Sequence, residues 1–500
     1  MEAEDRPPTR WTDDLVKALP TEATVGVWGG LCHTVDVLRL MNDDDDDGQV
    51  NKMVLSFAAT LAYGVGRQMI SLAEGMPNEE VFPFNRLEMG WTKGGALHME
   101  GKELSTALQY LPSQGLPALL SELRAFQQDL HRPPPLQRDV IVTNGAQHGI
   151  YQALDLLLDQ GDPILLTEYT YTGVHVALKP YSPEIISIPE DEHGLVPETL
   201  DAVLSDRLSR GLRMPRLIYL VPTANNPTGT TLPAHRRRQI YDLACKYDFL
   251  ILEDDPYMFL NFDDEPVPSF LSLDVAGRVI RLDSLSKVVS AGLRGGWLSA
   301  PRPLLQRVEL HMQAELLHSC TLAQAALLAA PPPSPSRSAR SSISTGNDSF
   351  TDHGFHDKHI KVEVLGPPHH LQPGGAGAHL HRARALYRRR RDALQAALAP
   401  LDSLADWSPP KGGLFLWLRV RGVDDVYNMV FETAFKRGLM LIPGQAFLYD
   451  TSAPSQHLRL TFSKIALKDM DLAARTLADI IKEEQSRSLQ KQPQRLATQH

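Results

Sequence analysis

The chain has 500 residues, 43% hydrophobic and 22% charged, the composition of a folded globular protein large enough for more than one domain. Its formal net charge of −10 argues against a general nucleic-acid-binding protein, because neutralising phosphates requires an excess of basic residues. The cysteines, Cys32, Cys245 and Cys320, are scattered without metal-ligand spacing, which argues against a disulfide framework and favours a reducing compartment.

The N-terminal residues give few structural signals. The start, "MEAEDRPPTRW", is acidic and lacks the apolar core of a signal peptide. The apolar run "VLSFAATLAYGVG" is too short to span a bilayer, so we expect a cytoplasmic protein with no membrane partner. Residues 24–66 have no clear periodicity and contain "NDDDDDG", and we assign residues 1–68 to an N-terminal arm without predicted elements.

From about residue 138, short apolar strands alternate with helical stretches. The predicted strands are "DVIVT", "PILLTE", "RLIYLVP", "FLILEDD", "RVIRLDS" and "GGWLSAP". The predicted helices between them are "AQHGIYQALDLLLDQGD" and "PAHRRRQIYDLACKYD". This alternation predicts an α/β fold with a mainly parallel, helix-covered sheet, in which functional sites lie beyond the carboxyl ends of the strands.

The C-terminal part has a different pattern. We predict strands at "GGLFLWLRV", "LMLIPG" and "HLRLTFS", and a helix at "ALKDMDLAARTLADIIKEEQ". This pattern favours a smaller α+β domain over residues 396–485, beside a large cofactor-binding domain formed by residues 69–330 and 379–395. The remaining residues, 486–500, are predicted to be a disordered tail.

A low-complexity insert separates two helical patterns. Residues 331–378 are rich in Pro, Ser, Gly and His and lie between "LAQAALLAA" and "HLHRARALYRRRRDALQAAL". A composition that cannot bury a core predicts a mobile or poorly packed excursion on the surface, remote from Lys287. Its histidines match no standard zinc spacing and no cysteine joins them, so we predict no metal site; they are His353, His356, His359, His369 and His370.

The segment "SLSKVVSAGLRGGW" places an amine among phosphate-binding groups. Lys287 can form a Schiff base with an aldehyde if it can lose its proton. Ser284, Ser286 and Arg294 can together hold a phosphate, arginine through its bidentate fork. These groups together suggest pyridoxal phosphate. A strand-end lysine beside ordinary helix-capping serines would give the same local pattern.

Two further strand ends favour the cofactor. Asp254 in "EDDPYMFL" ends an apolar strand, where a carboxylate can keep the ring nitrogen of the cofactor protonated. Tyr257 in the same segment and Asn226 in "ANNPTG" can both bind the phenolic oxygen of the cofactor. The alternative for each segment is a turn signal, because Asn-Pro and Asp-Pro often begin turns.

Another candidate anion site opens a predicted helix. Gly145, Ala146 and Gln147 follow a strand, so free backbone N–H groups and the helix dipole would favour an anion there. An ordinary helix start explains the same residues. Tyr171 in "EYTYTG" can stack on a cofactor ring, or it can be a core aromatic residue.

Three segments together resemble the signatures of fold-type-I pyridoxal-phosphate aminotransferases of class I and II. These are "ANNPTGT", "EDDPY" and "SLSKVVSAGLRGGW", in the order and at the spacing of that family. The chain is most similar to the aromatic-amino-acid, 2-aminoadipate and kynurenine aminotransferases, in particular the fungal aromatic ones. The resemblance covers roughly residues 69–330 and 379–485, with further support from "ISLAEGMPNEEVFPF", "LQYLPSQGLPALL" and "KGGLFLWLRV".

The resemblance implies roles for individual residues. Lys287 would be the Schiff-base lysine and proton-transfer base, and Asp254 would pair with the pyridinium. Asn226 and Tyr257 would bind the phenolic oxygen. The remaining cofactor-binding residues implied by the family are Ser284, Ser286, Arg294, Ala146 and Gln147 at the phosphate, Tyr171 on the ring, and Tyr110 at the phosphate of the neighbouring subunit in a homodimer.

The resemblance also implies how substrate binds. Arg459 in "HLRLTFS" matches the arginine that holds the substrate α-carboxylate, and Gly75 in "AEGMPN" matches a glycine near the substrate. Asn226 belongs to the same substrate site. Relatives often carry serine where this chain has Ala146, so only the backbone N–H can serve there.

The resemblance implies amino transfer from an amino acid to a 2-oxo acid in a ping-pong reaction, and the expected acceptor is 2-oxoglutarate. Aromatic residues near the site favour an aromatic or kynurenine-like donor, and no polar partner for 2-aminoadipate is evident. The alternatives are another pyridoxal-phosphate reaction on the same fold, such as β-elimination, or an inactive homologue. A transcription regulator with an aminotransferase-like domain would need a basic helix-turn-helix near the N-terminus, for which residues 1–66 show little basic patterning.

Overall fold

The computed structural model describes residues 75–90, 96–263, 267–329 and 375–497. The predicted N-terminal arm lies outside the described residues. So does the predicted insert with its histidines, apart from residues 375–378, which begin a helix.

The strands of the described residues follow one another in chain order. They are β1 Arg86–Gly90, β2 Ala96–Glu100, β3 Arg138–Asn144, β4 Pro163–Thr167, β5 Glu184–Ile188, β6 Glu190–Asp191, β7 Gly194–Leu195, β8 Leu217–Leu220, β9 Leu250–Asp254, β10 Val279–Ser284, β11 Gly295–Pro301, β12 Ala405–Trp407, β13 Phe415–Val420, β14 Ile442–Pro443 and β15 His457–Thr461.

The helices occupy most of the segments between them. The α-helices are α1 Gly101–Leu108, α2 Pro117–His131, α3 Ala146–Leu157, α4 Thr172–Leu178, α5 Pro197–Ser209, α6 Ala234–Tyr247, α7 Phe270–Leu273, α8 Arg302–Glu315, α9 Thr321–Ala329, α10 Gly375–Ala397 and α11 Met470–Ala497. Among the described residues, none of these helices combines the length and apolarity that crossing a membrane requires.

The described residues divide into two compact units. The first contains the residues up to Asp159 and those from Asp274 to His379, and the second contains Gln160–Leu273 and the residues from Leu380 onward. This division differs from the predicted one, because residues 396–485 fall in the same unit as residues 160–273. Within that unit, for example, the Phe262 N–H donates to the Lys411 carbonyl at 2.7 Å.

In the first unit, β11 lies between β3 and β10 and runs antiparallel to both. The connection 285–294 is shorter than the dozen or so residues that a parallel crossover needs, which explains the reversed direction of β11. The register pairs Gly295 with Asn144 and Ser284 with Gly296. The end of β3 and the end of β10 therefore lie on either side of the start of β11. The residues that follow β3 and β10 therefore meet at one edge.

In the second unit, β9, β8, β4 and β5 form a parallel sheet in that order. Every residue of β4, β8 and β9 is buried, which explains why these strands are mostly apolar in the sequence, apart from polar residues at their carboxyl ends such as Glu253 and Asp254. Because they are parallel, their carboxyl ends share one edge, where Asp254 lies. The mostly parallel sheet and its helices confirm the predicted α/β class.

The second unit also holds a four-stranded antiparallel sheet, in the order β12, β13, β15 and β14. Leu416, Leu418 and Leu458 point into a core that residues 394–481 build with Phe262. The alternate residues face the other side of the sheet, and Trp417 lies opposite Arg459 there. That second face carries the predicted substrate-binding arginine.

The last helix, α11, extends to Ala497, whereas residues 486–500 are predicted to be disordered. The structure therefore differs from this prediction over residues 486–497. Residues such as Leu489, Gln490 and Lys491 are good helix formers, and they continue a helix whose preceding turns are already packed on the core.

Candidate active site

The turn after β10 brings two hydroxyl groups together, and a lysine follows them in the same turn. Ser284, which is buried, donates from Oγ to Ser286 Oγ at 3.0 Å, and the Ser286 N–H donates to Ser284 Oγ at 3.2 Å. Lys287 is the next residue of the same turn and is partly exposed. The order of these residues in the sequence is thus enough to place them side by side.

Arg294 connects this turn to the end of β3. Its Nη2 donates to the Asn144 carbonyl and its Nη1 to the Ala291 carbonyl, each at 3.1 Å. The backbone of Arg294 is left-handed, with φ of 53°, and the residue is exposed. Its guanidinium therefore lies at the start of α3 and remains accessible to an anion.

Gly145 is the N-cap residue of α3 and must be glycine for two reasons. Its φ is +77°, and a Cβ built on it would lie 2.5 Å from Arg294 Nη2. The N-cap residue, a glycine, has no side chain to cap the helix, and the N–H groups of Ala146 and Gln147 belong to its first turn. The uncapped helix, the guanidinium and the serine hydroxyls fit the phosphate of pyridoxal phosphate.

In the second unit, Asp254 is paired with a tyrosine. It is buried at the end of β9, and Tyr219 on the neighbouring strand β8 donates its hydroxyl to Oδ2 at 2.7 Å. Burial raises the pKa of Tyr219 well above its usual value, and the charge of Asp254 raises it further. Tyr219 therefore stays a neutral donor and orients a carboxylate that fits a pyridinium nitrogen.

Asn226 and Arg459 are joined directly. Arg459 Nη1 donates to Asn226 Oδ1 at 2.8 Å. The guanidinium lies over the rings of Phe415 and Phe447, at 4.3 Å and 4.9 Å from the two ring centroids. Burial lowers the pKa of Arg459, but arginine remains charged at any physiological pH. A half-buried cation between two rings is suited to a carboxylate.

Tyr257 and Tyr171 lie near this arginine. Tyr257 is buried, and its pKa is raised first by burial and then by the charge of Asp254. Tyr171, partly buried, is close enough to influence the pKa values of Tyr257 and Arg459. The predicted site residues Asp254, Tyr257, Tyr171, Asn226 and Arg459 thus lie near one another in the second unit.

Tyr110 and Gly75 are the two remaining predicted site residues. Tyr110 is 50% exposed and makes an edge contact with His318, with ring centroids 5.7 Å apart. Gly75 is exposed, and within the described part of the chain no atom lies within 4 Å of a Cβ built on it. Their predicted roles toward a neighbouring subunit and toward substrate remain predictions.

Tyr219, Phe415 and Phe447 are not predicted as site residues from the sequence. The signal for Tyr219 is a tyrosine within the otherwise aliphatic strand "RLIYLVP". Phe415 alternates with buried leucines along β13 and therefore lies on the opposite face of that strand. The sequence does not indicate which residues pack against that face.

Within the described residues, no group of three or more His, Cys, Asp or Glu side chains could hold a metal ion.

Comparison with known proteins agrees with this geometry. The profile of the family "Aminotransferase class I and II" matches residues 96–347. A mitochondrial kynurenine/alpha-aminoadipate aminotransferase of Rattus norvegicus is 40% identical over 83% of this chain and 92% of its own length. An aromatic amino acid aminotransferase of Schizosaccharomyces pombe is 28% identical over 83% of this chain and 91% of its own length.

A solved structure supports the same assignment. The aminotransferase Aro8 of Candida albicans superposes with a TM-score of 0.69 at 26% identity, covering 85% of this chain and 95% of that one. The resemblance inferred from the sequence motifs is thereby confirmed. The chain belongs to the class I and II aminotransferases and is a transaminase that depends on pyridoxal phosphate.

Proposed function

We propose that this transaminase takes its amino group from an aromatic or kynurenine-like amino acid and passes it to 2-oxoglutarate. The observation that carries the proposal is the placement of Arg459 between Phe415 and Phe447, with Asn226 as its partner. An arginine can bind the carboxylate that every donor and acceptor shares, and aromatic walls favour a flat apolar side chain. A 2-aminoadipate-like donor is the alternative within the same class.

The phosphate of the cofactor is assigned to the turn after β10 and the start of α3. Arg294 supplies two donors, Ser284 and Ser286 supply hydroxyls, and the backbone N–H groups of Ala146 and Gln147 complete the set. Arg294 already holds the Asn144 carbonyl at 3.1 Å, so little side-chain freedom is lost when an anion binds. This assignment is supported by the uncapped start of α3.

The ring of the cofactor is assigned to the residues around Asp254. Asp254 would hold the proton on the ring nitrogen, and Tyr219 would keep that carboxylate in place through its 2.7 Å hydrogen bond. Tyr257, kept protonated by burial, and the Nδ2 of Asn226 would donate to the phenolic oxygen. Tyr171 would lie against the ring face.

Bound pyridoxal phosphate supplies an aldehyde and an electron-withdrawing ring. Lys287 Nζ is assigned to attachment of that aldehyde and afterwards to moving the proton from the substrate α-carbon. Because the nitrogen donor leaves as a 2-oxo acid before the acceptor enters, Arg459 would bind both carboxylates in turn.

We also propose a cytoplasmic homodimer. The support for the dimer is Tyr110, half exposed on the protomer and therefore accessible to a second copy. The support for the location is the scattered placement of Cys32, Cys245 and Cys320, which favours a reducing compartment. Sedimentation of the purified holoenzyme and fractionation of cells expressing the full chain would test these two points separately.

An amino-donor screen tests the substrate proposal. Purified holoenzyme is incubated with 2-oxoglutarate and, separately, with phenylalanine, tyrosine, tryptophan, kynurenine or 2-aminoadipate, and the glutamate formed is measured. We expect the highest kcat/KM for an aromatic or kynurenine donor and no glutamate from Lys287→Ala. Preference for 2-aminoadipate would overturn the proposed donor class, and release of ammonia without glutamate would indicate elimination instead.

A further inference from the structure

His148 contacts the backbone just before the phosphate-binding start of α3. Its Nδ1 accepts a hydrogen bond from the Asn144 N–H at 3.1 Å. With Gly145 as the N-cap, His148 is the third residue of the helix, the capping-box position. It binds, however, the N–H one residue before the N-cap, while the Gly145 N–H donates to the Thr143 carbonyl at 2.8 Å. Histidine takes the place here that glutamate or glutamine usually occupies.

The other ring nitrogen of His148 lies beside a carboxylate. Nε2 lies 2.9 Å from Oε2 of Glu315, the last residue of α8. Burial raises the pKa of Glu315, but hydrogen bonds with His148 and His311 outweigh this effect and lower it to about 2. The carboxylate is therefore charged and can accept the Nε2 proton, and the Asn144 N–H directed at Nδ1 makes that nitrogen the acceptor.

The backbone of Asn144 is consequently held at both its N–H and its carbonyl. Its N–H is bound by His148, and its carbonyl accepts from Arg294 Nη2. This residue leads directly into Gly145, whose conformation sets the direction of the first N–H groups of α3. A change in the backbone tilt at Asn144 would move the helix start and the guanidinium together.

We propose that His148 is a positioning residue for cofactor phosphate, acting through the Asn144 backbone on Arg294 and on the start of α3. The inference rests on the proposed phosphate site. His148 would touch neither the cofactor nor the substrate. Removing it should weaken binding of the phosphate group specifically, without changing the groups assigned to the ring.

The same pair of helices contains a matched control. His311 of α8 binds Asp155 of α3 through Nε2 at 2.7 Å, and its side chain is 6% exposed, close to the 8% of His148. His311 thus joins the same two helices, and its described partners are Asp155 and Glu315 rather than Asn144. A variant at His311 loosens the same helix pair and removes one partner of Glu315, while the contact between His148 Nδ1 and the Asn144 N–H stays in place.

The test compares binding of pyridoxal phosphate and of pyridoxal, which lacks the phosphate, to the apo forms of full-length variants. Dissociation constants come from absorbance titrations, and unfolding temperatures from thermal melts. We expect His148→Leu to bind pyridoxal phosphate about three- to tenfold more weakly, the range expected for loss of one capping interaction, with pyridoxal binding unchanged. His148→Gln, which restores a capping-box acceptor, should recover most of the affinity. His311→Leu should melt earlier yet bind both compounds as the wild type does.

Each other outcome is decisive. An unchanged dissociation constant for pyridoxal phosphate in His148→Leu overturns the inference and leaves the proposed function intact. Equal weakening by His148→Leu and His311→Leu means that His148 has only a structural role. If the wild type binds pyridoxal as tightly as pyridoxal phosphate, the phosphate site itself is wrong. Should His148→Leu fail to fold, His148→Ala answers the same question without added bulk.

Discussion

Arg459 of β15 and Asn226 of the loop after β8 share a hydrogen bond, from Nη1 to Oδ1 at 2.8 Å. Because the arginine is a pure donor, this bond identifies the oxygen of the Asn226 amide and directs its Nδ2 elsewhere. The residue proposed to bind the substrate carboxylate therefore orients the residue proposed to donate to the cofactor. Substrate and cofactor binding should be coupled at this pair.

Arg459→Lys should raise the KM for both the amino acid and the 2-oxo acid by about ten- to a hundredfold. Lysine keeps the charge but cannot form the bidentate pair, and a charged hydrogen bond contributes about 1.5–3 kcal/mol. Steady-state kinetics with donor and acceptor varied in turn give the two constants. An unchanged KM for both substrates would remove Arg459 from the carboxylate site.

Asp254→Asn should lower kcat by a factor of about 10² to 10³. The amide can still accept from Tyr219, but it cannot keep a ring nitrogen protonated, so the electrostatic contribution of roughly 3–4 kcal/mol is lost. Single-turnover kinetics with a good donor measure this step. Tyr219→Phe is the matched variant, because it removes only the hydroxyl at 2.7 Å and should cost about tenfold at most. Near-normal turnover in Asp254→Asn would refute the assigned role.

Gly145→Ala should weaken binding of pyridoxal phosphate more strongly than a stability loss explains. The new methyl group would meet Arg294 Nη2 at 2.5 Å, in addition to the strain of a φ of +77°. Gly161→Ala is a close control, since Gly161 has a φ of +75° but no described atom within 4 Å of the position that its methyl group would take. Gly145→Ala should lose about 1–3 kcal/mol of stability, because φ of 77° with ψ of 171° is reached almost only by glycine, and of the two variants only Gly145→Ala should lose affinity. Equal affinities would argue against this cradle.

The free energy of unfolding should fall as the pH rises, because the carboxyl group of Glu190 loses its proton in the folded chain. Burial, with the charges of Glu168 and Asp191, raises its pKa from 4.5 to about 8, against a hydrogen bond from Asn225. Between pH 4.5 and about 8, the folded chain therefore binds more protons than the unfolded chain. The stabilising contribution of Glu190 is fully present below pH 4.5 and is lost as the pH rises to about 8. The slope is at most about 1.4 kcal/mol for each pH unit.

Glu190→Gln isolates that effect. Glutamine cannot ionise and still accepts from Asn225, which lies 3.2 Å from the carboxyl oxygen. Urea unfolding of both proteins at pH 5, 6.5 and 8 should show the variant gaining stability relative to the wild type as the pH rises. A constant difference across the three pH values would show that Glu190 is not the titrating group.

The sequence predicts best those features that are contiguous along the chain. Ser284, Ser286 and Lys287 lie in one turn, so their adjacency follows from their order, and the apolar strands β3, β4, β8 and β9 are recognisable from composition. The direction of β11 is set by the length of the connection before it, which the alternation of strands and helices does not reveal. Strand β5 is not predicted, because its alternating edge-strand pattern "EIISI" is short and weak.

The rest of the site depends on contacts between distant segments. Tyr219 reaches Asp254 only because β8 and β9 are neighbours in register, with Tyr219 opposite Leu252. Phe415 and Phe447 become walls for Arg459 only after the strands and turns of the C-terminal sheet have packed. A single sequence contains no spacing rule for such contacts, although it does contain the residues that make them.

The lysine to which the cofactor is attached can be identified chemically. The holoenzyme is reduced with borohydride, digested, and its peptides are analysed by mass spectrometry for a lysine that carries the reduced cofactor. We expect a single modified residue, Lys287, and no modification in Lys287→Ala under the same conditions. Attachment to a different lysine in the wild-type protein, or none at all, would contradict the assignment of Lys287 and with it the proposed active site.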